Sequence, residues 1–240
     1  MSFWKRMLSF YAAALVLALV CSVLTSESVS VLTAVLDSDA PPLLRTVILD
    51  PGHGGEDGGA VSAGGVLESG LNLEISLRLR DLLRFLGVPV VMTRQTNISI
   101  YSPQAETVSE KKVSDLKNRV RFVNETPNGI LVSIHQNMFP ESKYYGAQVF
   151  YAQTAGSQTL AEEIQAFVGA KLDPGNHRQA KPCLTVYLMK NVHCPAVLVE
   201  CGFLSNPEEE RKLQTADYQR KLAAVIAVGL GNALPITPVY

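Results

Sequence analysis

Cysteine is scarce in this chain of 240 residues: there are four. Cys21 falls inside an apolar run, and the others are Cys183, Cys194 and Cys201. An odd, sparse set of three is no disulfide framework; the three read as buried free thiols, with one bridged pair outside the membrane as the alternative. A surplus of one sign of charge is lacking too. Lys and Arg number 21 against 22 Asp and Glu, which argues against a nucleic-acid partner bound by phosphate neutralisation. Charged residues are only 18% and aromatics 7%, while hydrophobic residues reach 47%. That is enough apolar mass to offset ordering entropy, so a disordered chain is excluded, as are collagen-like, coiled-coil and mucin-like ones. No internal repeat is visible.

One long apolar run is present. Met7 to Leu24 is almost unbroken and follows Lys5 and Arg6. As a helix it would measure about 27 Å, close to the ~30 Å hydrocarbon core of a bilayer. Positive residues ahead of it place the N-terminus in the cytoplasm and send the rest across. Residues 1–24 therefore read as a signal-anchor or a signal peptide, which makes the membrane a partner through this segment. Residues 25–44, rich in Ser and Thr and ending in Pro41-Pro42, read as a linker. The body is extracytoplasmic on this reading, anchored or secreted. Beyond residue 44 acids and bases balance, so net charge steers nothing there.

From Thr46 the pattern changes. Short apolar runs at Val47–Leu49, Val90–Met92, Ile130–Ile134, Val149–Tyr151 and Ala196–Val199 read as strands covered on both faces. Helices fall between them. Leu71, Ile75, Leu79, Leu82, Leu83 and Leu86 mark the first. Thr107-x-x-Glu110 is a capping box that opens a second, with Val113, Leu116, Val120 and Val123 on its apolar face. Leu160, Ile164, Phe167 and Val168 mark a third, stopped at Asp173-Pro174-Gly175, and Tyr218 to Gly229 mark a C-terminal fourth. The alternation predicts an α/β domain with a largely parallel sheet. The weakly periodic stretch 94–109 is either a mobile functional segment or a solvated excursion.

The first strand runs into a glycine-rich loop, Asp50 to Gly59. The dinucleotide pattern G-x-G-x-x-G starts at Gly52 but meets Asp57 where its third glycine belongs. A metal site is the other reading. His53 follows the first strand, His135 ends the 130–134 run and Glu200 ends the 196–199 run. In a parallel sheet these strand ends share one rim, where ligands bind. Glu68 stands at the start of the first helix on that edge, where the helix dipole favours a negative charge. Two imidazoles and a carboxylate form a catalytic zinc set with an open position. A further carboxylate could take a proton from water there. No gap between these residues has a short recognisable spacing. A turn histidine, a hydrogen-bonded strand-end histidine and a salt-bridged glutamate stand beside the metal reading. His193 with Cys194 and Cys201 lacks paired zinc-ligand spacing.

The stretches 47–55 (VILDPGHGG), Leu67-Glu68 with Asn72, Thr93-Arg94, 133–137 (SIHQN) and 195–207 (PAVLVECGFLSNP) resemble, in order, the zinc-dependent N-acetylmuramoyl-L-alanine amidases of the amidase-3 family. The resemblance covers residues 46 to 234. It implies a single catalytic domain over 45–235, built on a mixed, mostly parallel sheet of about six strands flanked by helices. It implies Zn2+ held by His53, Glu68 and His135, with Glu200 as the catalytic carboxylate. Asn137 and Arg94 become candidates for substrate contact or support. Within the family the chain is most similar to the CwlD type of spore-forming bacteria. That implies cleavage of the amide between N-acetylmuramic acid and L-alanine in peptidoglycan, in the forespore cortex, in preparation for muramic-δ-lactam formation. A general autolysin and a non-catalytic wall-binding homologue are the alternatives. An accessory protein for zinc loading or folding stays open as a partner, as does the oligomeric state. Gln136 departs from the small or apolar residue usual after the histidine, which points to substrate fit.

Overall fold

A computed structural model of the chain describes residues 45–233. The apolar run 7–24, Cys21 and the linker 25–44 lie outside the described residues. Among those described, no helix is long and apolar enough to cross a membrane.

The β-branched runs form a six-stranded sheet. The strands are β1 (Thr46–Pro51), β2 (Val90–Met92), β3 (Gly129–Asn137), β4 (Gln148–Tyr151), β5 (Lys181–Pro182) and β6 (Ala196–Phe203), in the order β2-β1-β3-β6-β4-β5. β2, β1, β3 and β6 run parallel; β4 is antiparallel to β6, and β5 parallel to β4. The expected mixed, mostly parallel sheet in a single α/β domain is what forms. β5 has only two residues, both exposed, which leaves no apolar run to announce it.

Alternation along each strand divides the core. Val47, Leu49, Ile130, Val132, Ile134, Val197 and Val199 face one side, under α1 (Glu68–Phe85), α3 (Ser157–Phe167) and α6 (Ala216–Ala233). Ile48, Leu131 and Leu198 face the other, under α2 (Val108–Glu125) and α4 (Tyr187–Asn191). Burying both faces makes each central strand apolar throughout. α1 seats Leu71, Ile75, Leu79 and Leu83 on the sheet. It stops at Gly87, whose φ of 75° lets Gly87 N donate to Arg84 O and Val88 N to Leu83 O, a Schellman closure. Where α3 and α6 cross, a Cβ at Gly229 would stand 2.7 Å from the Ile164 Cα, so a side chain there would force the helices apart.

Two readings need correction. The capping box of α2 is present, yet its inward face is not the expected stripe. Val113 is exposed, Leu116 and Val120 are half-buried, and the buried residues are Arg119 and Val123. The helix is turned so that Arg119 reaches carbonyls at the end of β1. Sequence periodicity also passed over α5 (Pro207–Leu213). Its signal was present in Asn206-Pro207-Glu-Glu: the Asn206 side chain accepts from Glu208 N and Glu209 N, and Pro207 opens the first turn.

Cys183 and Cys201 are buried, Cys194 is half-buried, and none is bridged, as expected for free thiols. Burial pushes all three thiols up.

Candidate metal centre and active site

His53, Glu68, His135 and Glu200 converge on one rim of the sheet. β1 ends at Pro51, and the chain turns through Gly52 to put His53 above the strand ends. His135 on β3 and Glu200 on β6 are direct register partners. Glu68 is the first residue of α1. One ligand atom each from His53, Glu68 and His135 lie within 4.8 Å of one another. His135 Nδ1 is 2.9 Å from Glu68 Oε1 and His53 Nε2 is 3.3 Å from Glu68 Oε2.

The glycines of the loop are explained by these side chains. A Cβ on Gly52 would fall on the imidazole of His135. A Cβ on Gly59, where φ is 69°, would stand 2.6 Å from Glu68 Oε2 and 2.8 Å from His53 Cδ2. His53 itself has φ 61°, a left-handed conformation that costs free energy in a non-glycine residue and persists only where the surroundings enforce it.

The enforcement comes from below. Arg119, nearly fully buried, donates to Asp50 Oδ1 (2.6 Å), Pro51 O (2.9 Å) and His53 O (2.8 Å), and its Nε donates to Asp115 Oδ2 (2.7 Å). Arg94, 2% exposed, donates to Pro51 O, Gly52 O and Ser69 O, each at 2.9 Å, and to Thr96 O at 3.1 Å. Thr93 and Ser133 complete the shell by donating to Asp50. Burial alone would raise the Asp50 carboxyl, but Arg119 and the two hydroxyls outweigh it and hold the group below its ordinary range. Arg94 thus lies under the loop, with its fork spent on the backbone that carries His53. Stretch 94–109 is correspondingly tethered: Ser99 Oγ donates to Gly54 O and Asn118 Nδ2 to Ile100 O.

Glu68 is 4% exposed. Its Oε1 accepts from Gln136 N (3.1 Å) and Asn72 Nδ2 (3.3 Å), and its Oε2 from Ala60 N (2.8 Å). Burial would raise this carboxyl; the hydrogen bonds and charge of His135 and His53 override it and drive it well below the usual carboxylate range. His53 is raised in turn: burial opposes, while Glu68 and Asp57 prevail. Its Nδ1 lies 3.0 Å from Asp57 Oδ2. Gln136 is a correction. It is 3% exposed and donates through Nε2 to Asn72 Oδ1 at 3.1 Å, so it supports the Glu68 carboxylate from behind and does not reach open surface. Asn137 is half-buried two residues past His135 on β3, where a bulge brings it opposite Phe203.

Glu200 differs from Glu68. Its Oε2 is buried with no hydrogen-bond partner among the described residues. Burial pushes its carboxyl up to about 7, with His135 and His53 pulling down and Glu68 pushing up. Two carboxylates thus stand together with opposite proton affinities, one held ionised among imidazoles and backbone donors and the other shifted toward neutrality. The donor set of two imidazoles and one ionised carboxylate fits a divalent zinc-type ion. No other such cluster occurs among the described residues, and His193 with its neighbouring cysteines does not form one.

An α/β sheet with this rim is the frame of a hydrolase. A family profile described as N-acetylmuramoyl-L-alanine amidase matches residues 47–232, and the chain belongs to that family. It is 40% identical over 187 residues to the germination-specific N-acetylmuramoyl-L-alanine amidase of Bacillus subtilis, covering 78% of each chain. The amidase LytC of the same organism is 32% identical over 192 residues, and the match spans 79% of this chain but 35% of LytC. The CwlD amidase of Clostridioides difficile, solved in complex with the GerS lipoprotein, superposes with a TM-score of 0.77 at 39% identity, covering 80% of this chain and all of that one.

Proposed function

We propose that this amidase is zinc-dependent, that it cleaves the amide joining the lactyl group of N-acetylmuramic acid to L-alanine in peptidoglycan, and that its substrate is spore cortex. The observation that carries the reading is the buried, unpartnered Oε2 of Glu200, on the residue directly beside His135 in the sheet, and the cluster of His135 with His53 and Glu68. Held by those three residues, zinc would polarise the amide carbonyl and lower the pKa of a water toward neutrality.

The chain's own groups do the rest. Glu200, with its proton affinity near neutrality, takes the proton of the attacking water and delivers it to the alanine nitrogen, which leaves poorly without it. Glu68 remains ionised across the working range, kept in place by Gln136 N, Asn72 and Ala60 N. Asn137, two residues past His135 on β3, would contact the substrate. The substrate lies outside the cytoplasm, and the run 7–24 would deliver the body there as anchor or signal peptide. An accessory protein is a proposed partner, motivated by the relative solved with a lipoprotein.

The test is a digest of purified muropeptides with metal analysis on the same sample. Cleavage between muramic acid and alanine, lost with a chelator and restored by zinc, is the expected result. Glu200→Gln should retain zinc and lose about 10²- to 10⁴-fold in turnover, while His135→Ala should lose zinc. Wild-type rates in Glu200→Gln would remove the base. Cortex from a deletion strain should lack muramic-δ-lactam; an unchanged cortex would favour an autolysin.

A further inference from the structure

The sheet register continues past the catalytic pair. His135 on β3 pairs with Glu200 on β6, and Glu200 pairs with Gln148 at the start of β4. The three side chains share one face of the sheet and form a row along the rim. Gln148 does not end the row: its Oε1 accepts from Arg178 Nη1 at 3.2 Å. Arg178 is further held by its Nε, which donates to Tyr145 O at 2.9 Å, and its guanidinium lies 4.7 Å above the ring of Phe203. Among the described residues no carboxylate lies within ion-pairing distance of it, whereas the neighbouring Lys143 is paired with Glu141. Arg178 lines a surface pocket with Lys143, Tyr144, Tyr145 and His177, which contains no acidic residue.

We propose that Arg178 is the carboxylate-recognition point of the substrate cleft and reads an acidic residue at the second position of the stem peptide. The inference rests on the amidase reading above. A half-buried guanidinium fixed by two hydrogen bonds and a ring, yet lacking a counter-charge, is preorganised for an anion. Its placement sets which anion. Adjacent strands are about 4.8 Å apart, so Gln148 stands one strand beyond Glu200 and Arg178 lies one side chain further on. An extended peptide advances about 3.5 Å per residue. With the scissile nitrogen delivered to Glu200, the alanine spans the first interval, and the α-carboxylate of the residue after it comes within reach of Arg178.

The test compares two muramoyl-peptides as substrates. One carries D-glutamate at the second position, with its α-carboxylate free; the other carries D-isoglutamine, with that group amidated. Wild type, Arg178→Gln and Arg178→Lys are assayed for kcat and KM on both. Wild type should favour the free acid by about tenfold or more in kcat/KM, the worth of a charged hydrogen bond, and mainly through KM. In Arg178→Gln the ratio between the substrates should fall to about one, and Arg178→Lys should restore part of it. Equal wild-type rates on the two, or an Arg178→Gln loss by the same factor on both through kcat, would overturn the proposal and make Arg178 a packing residue. Failure of wild type to cleave either peptide would bring down the amidase reading instead, and the subsite with it.

Discussion

On the β1 side, the loop that carries His53 is pinned by two buried arginines whose every bond ends on a backbone carbonyl or on an acid, Asp50 or Asp115. On the β4 side, the rim is made of rings: Phe139 meets Tyr144 edge-on at 4.8 Å, Tyr144 stacks with Phe203 at 6.4 Å, and Arg178 caps Phe203. Phe139 and Tyr145 there are exposed. Directional buried bonds permit one geometry, which a metal site requires; stacked rings tolerate small slides, which suits a varied polymer. The two flanks should therefore fail differently.

The largest effect is expected from Arg119→Met. It leaves Asp50 buried without its counter-charge and should cost about 3–5 kcal/mol of stability, measured by urea unfolding; a loss under about 1 kcal/mol would show that the β1 flank is not over-determined. Next comes Gly52→Ala. Its Cβ displaces the His135 imidazole, so zinc affinity measured by chelator competition should fall about 10- to 100-fold. Retained affinity would mean that the loop yields.

Acid gives a third contrast. The Asp50 carboxyl is depressed in the fold: burial raises it, but Arg119, Thr93 and Ser133 lower it further. Such a group stabilises at pH above its unfolded value near 4, and that contribution is lost as pH falls through the folded value. Thermal unfolding of wild type should therefore move to lower temperature below pH 4, more steeply than in Asp50→Asn. The smallest effect is expected on the ring side: Phe139→Ala should cost less than about 1 kcal/mol and raise KM with little change in kcat.

The same contrast explains what could be read from the sequence. Three of the four clustered residues, His53, His135 and Glu200, stand at or just past strand ends, and strand ends are announced by apolar runs, so the sequence alone puts them on one rim; Glu68 opens a helix instead. The supports could not be placed that way. Arg119 inside Lys117-Asn118-Arg119 looks like a solvated helix face, and nothing local tells that its fork meets the carbonyls of residues 51 and 53. For Arg94 the sequence leaves substrate contact and support both open, because a buried arginine that serves only backbone leaves no acidic partner in the sequence. Gln136 was misread for a similar reason: its partner Asn72 is 64 residues away on the first helix. β5 and α4 were too short to show a period.

The unbridged thiols bear on how such a body is delivered. Because no covalent cross-link among Cys183, Cys194 and Cys201 completes the fold, its assembly does not wait for an oxidant. It can be produced in a reducing cytosol, studied without refolding, and kept in thiol reductant while zinc is titrated. On the zinc reading proposed above, the metal, and not the redox state of the compartment, becomes the checkpoint between an inert body and a working one.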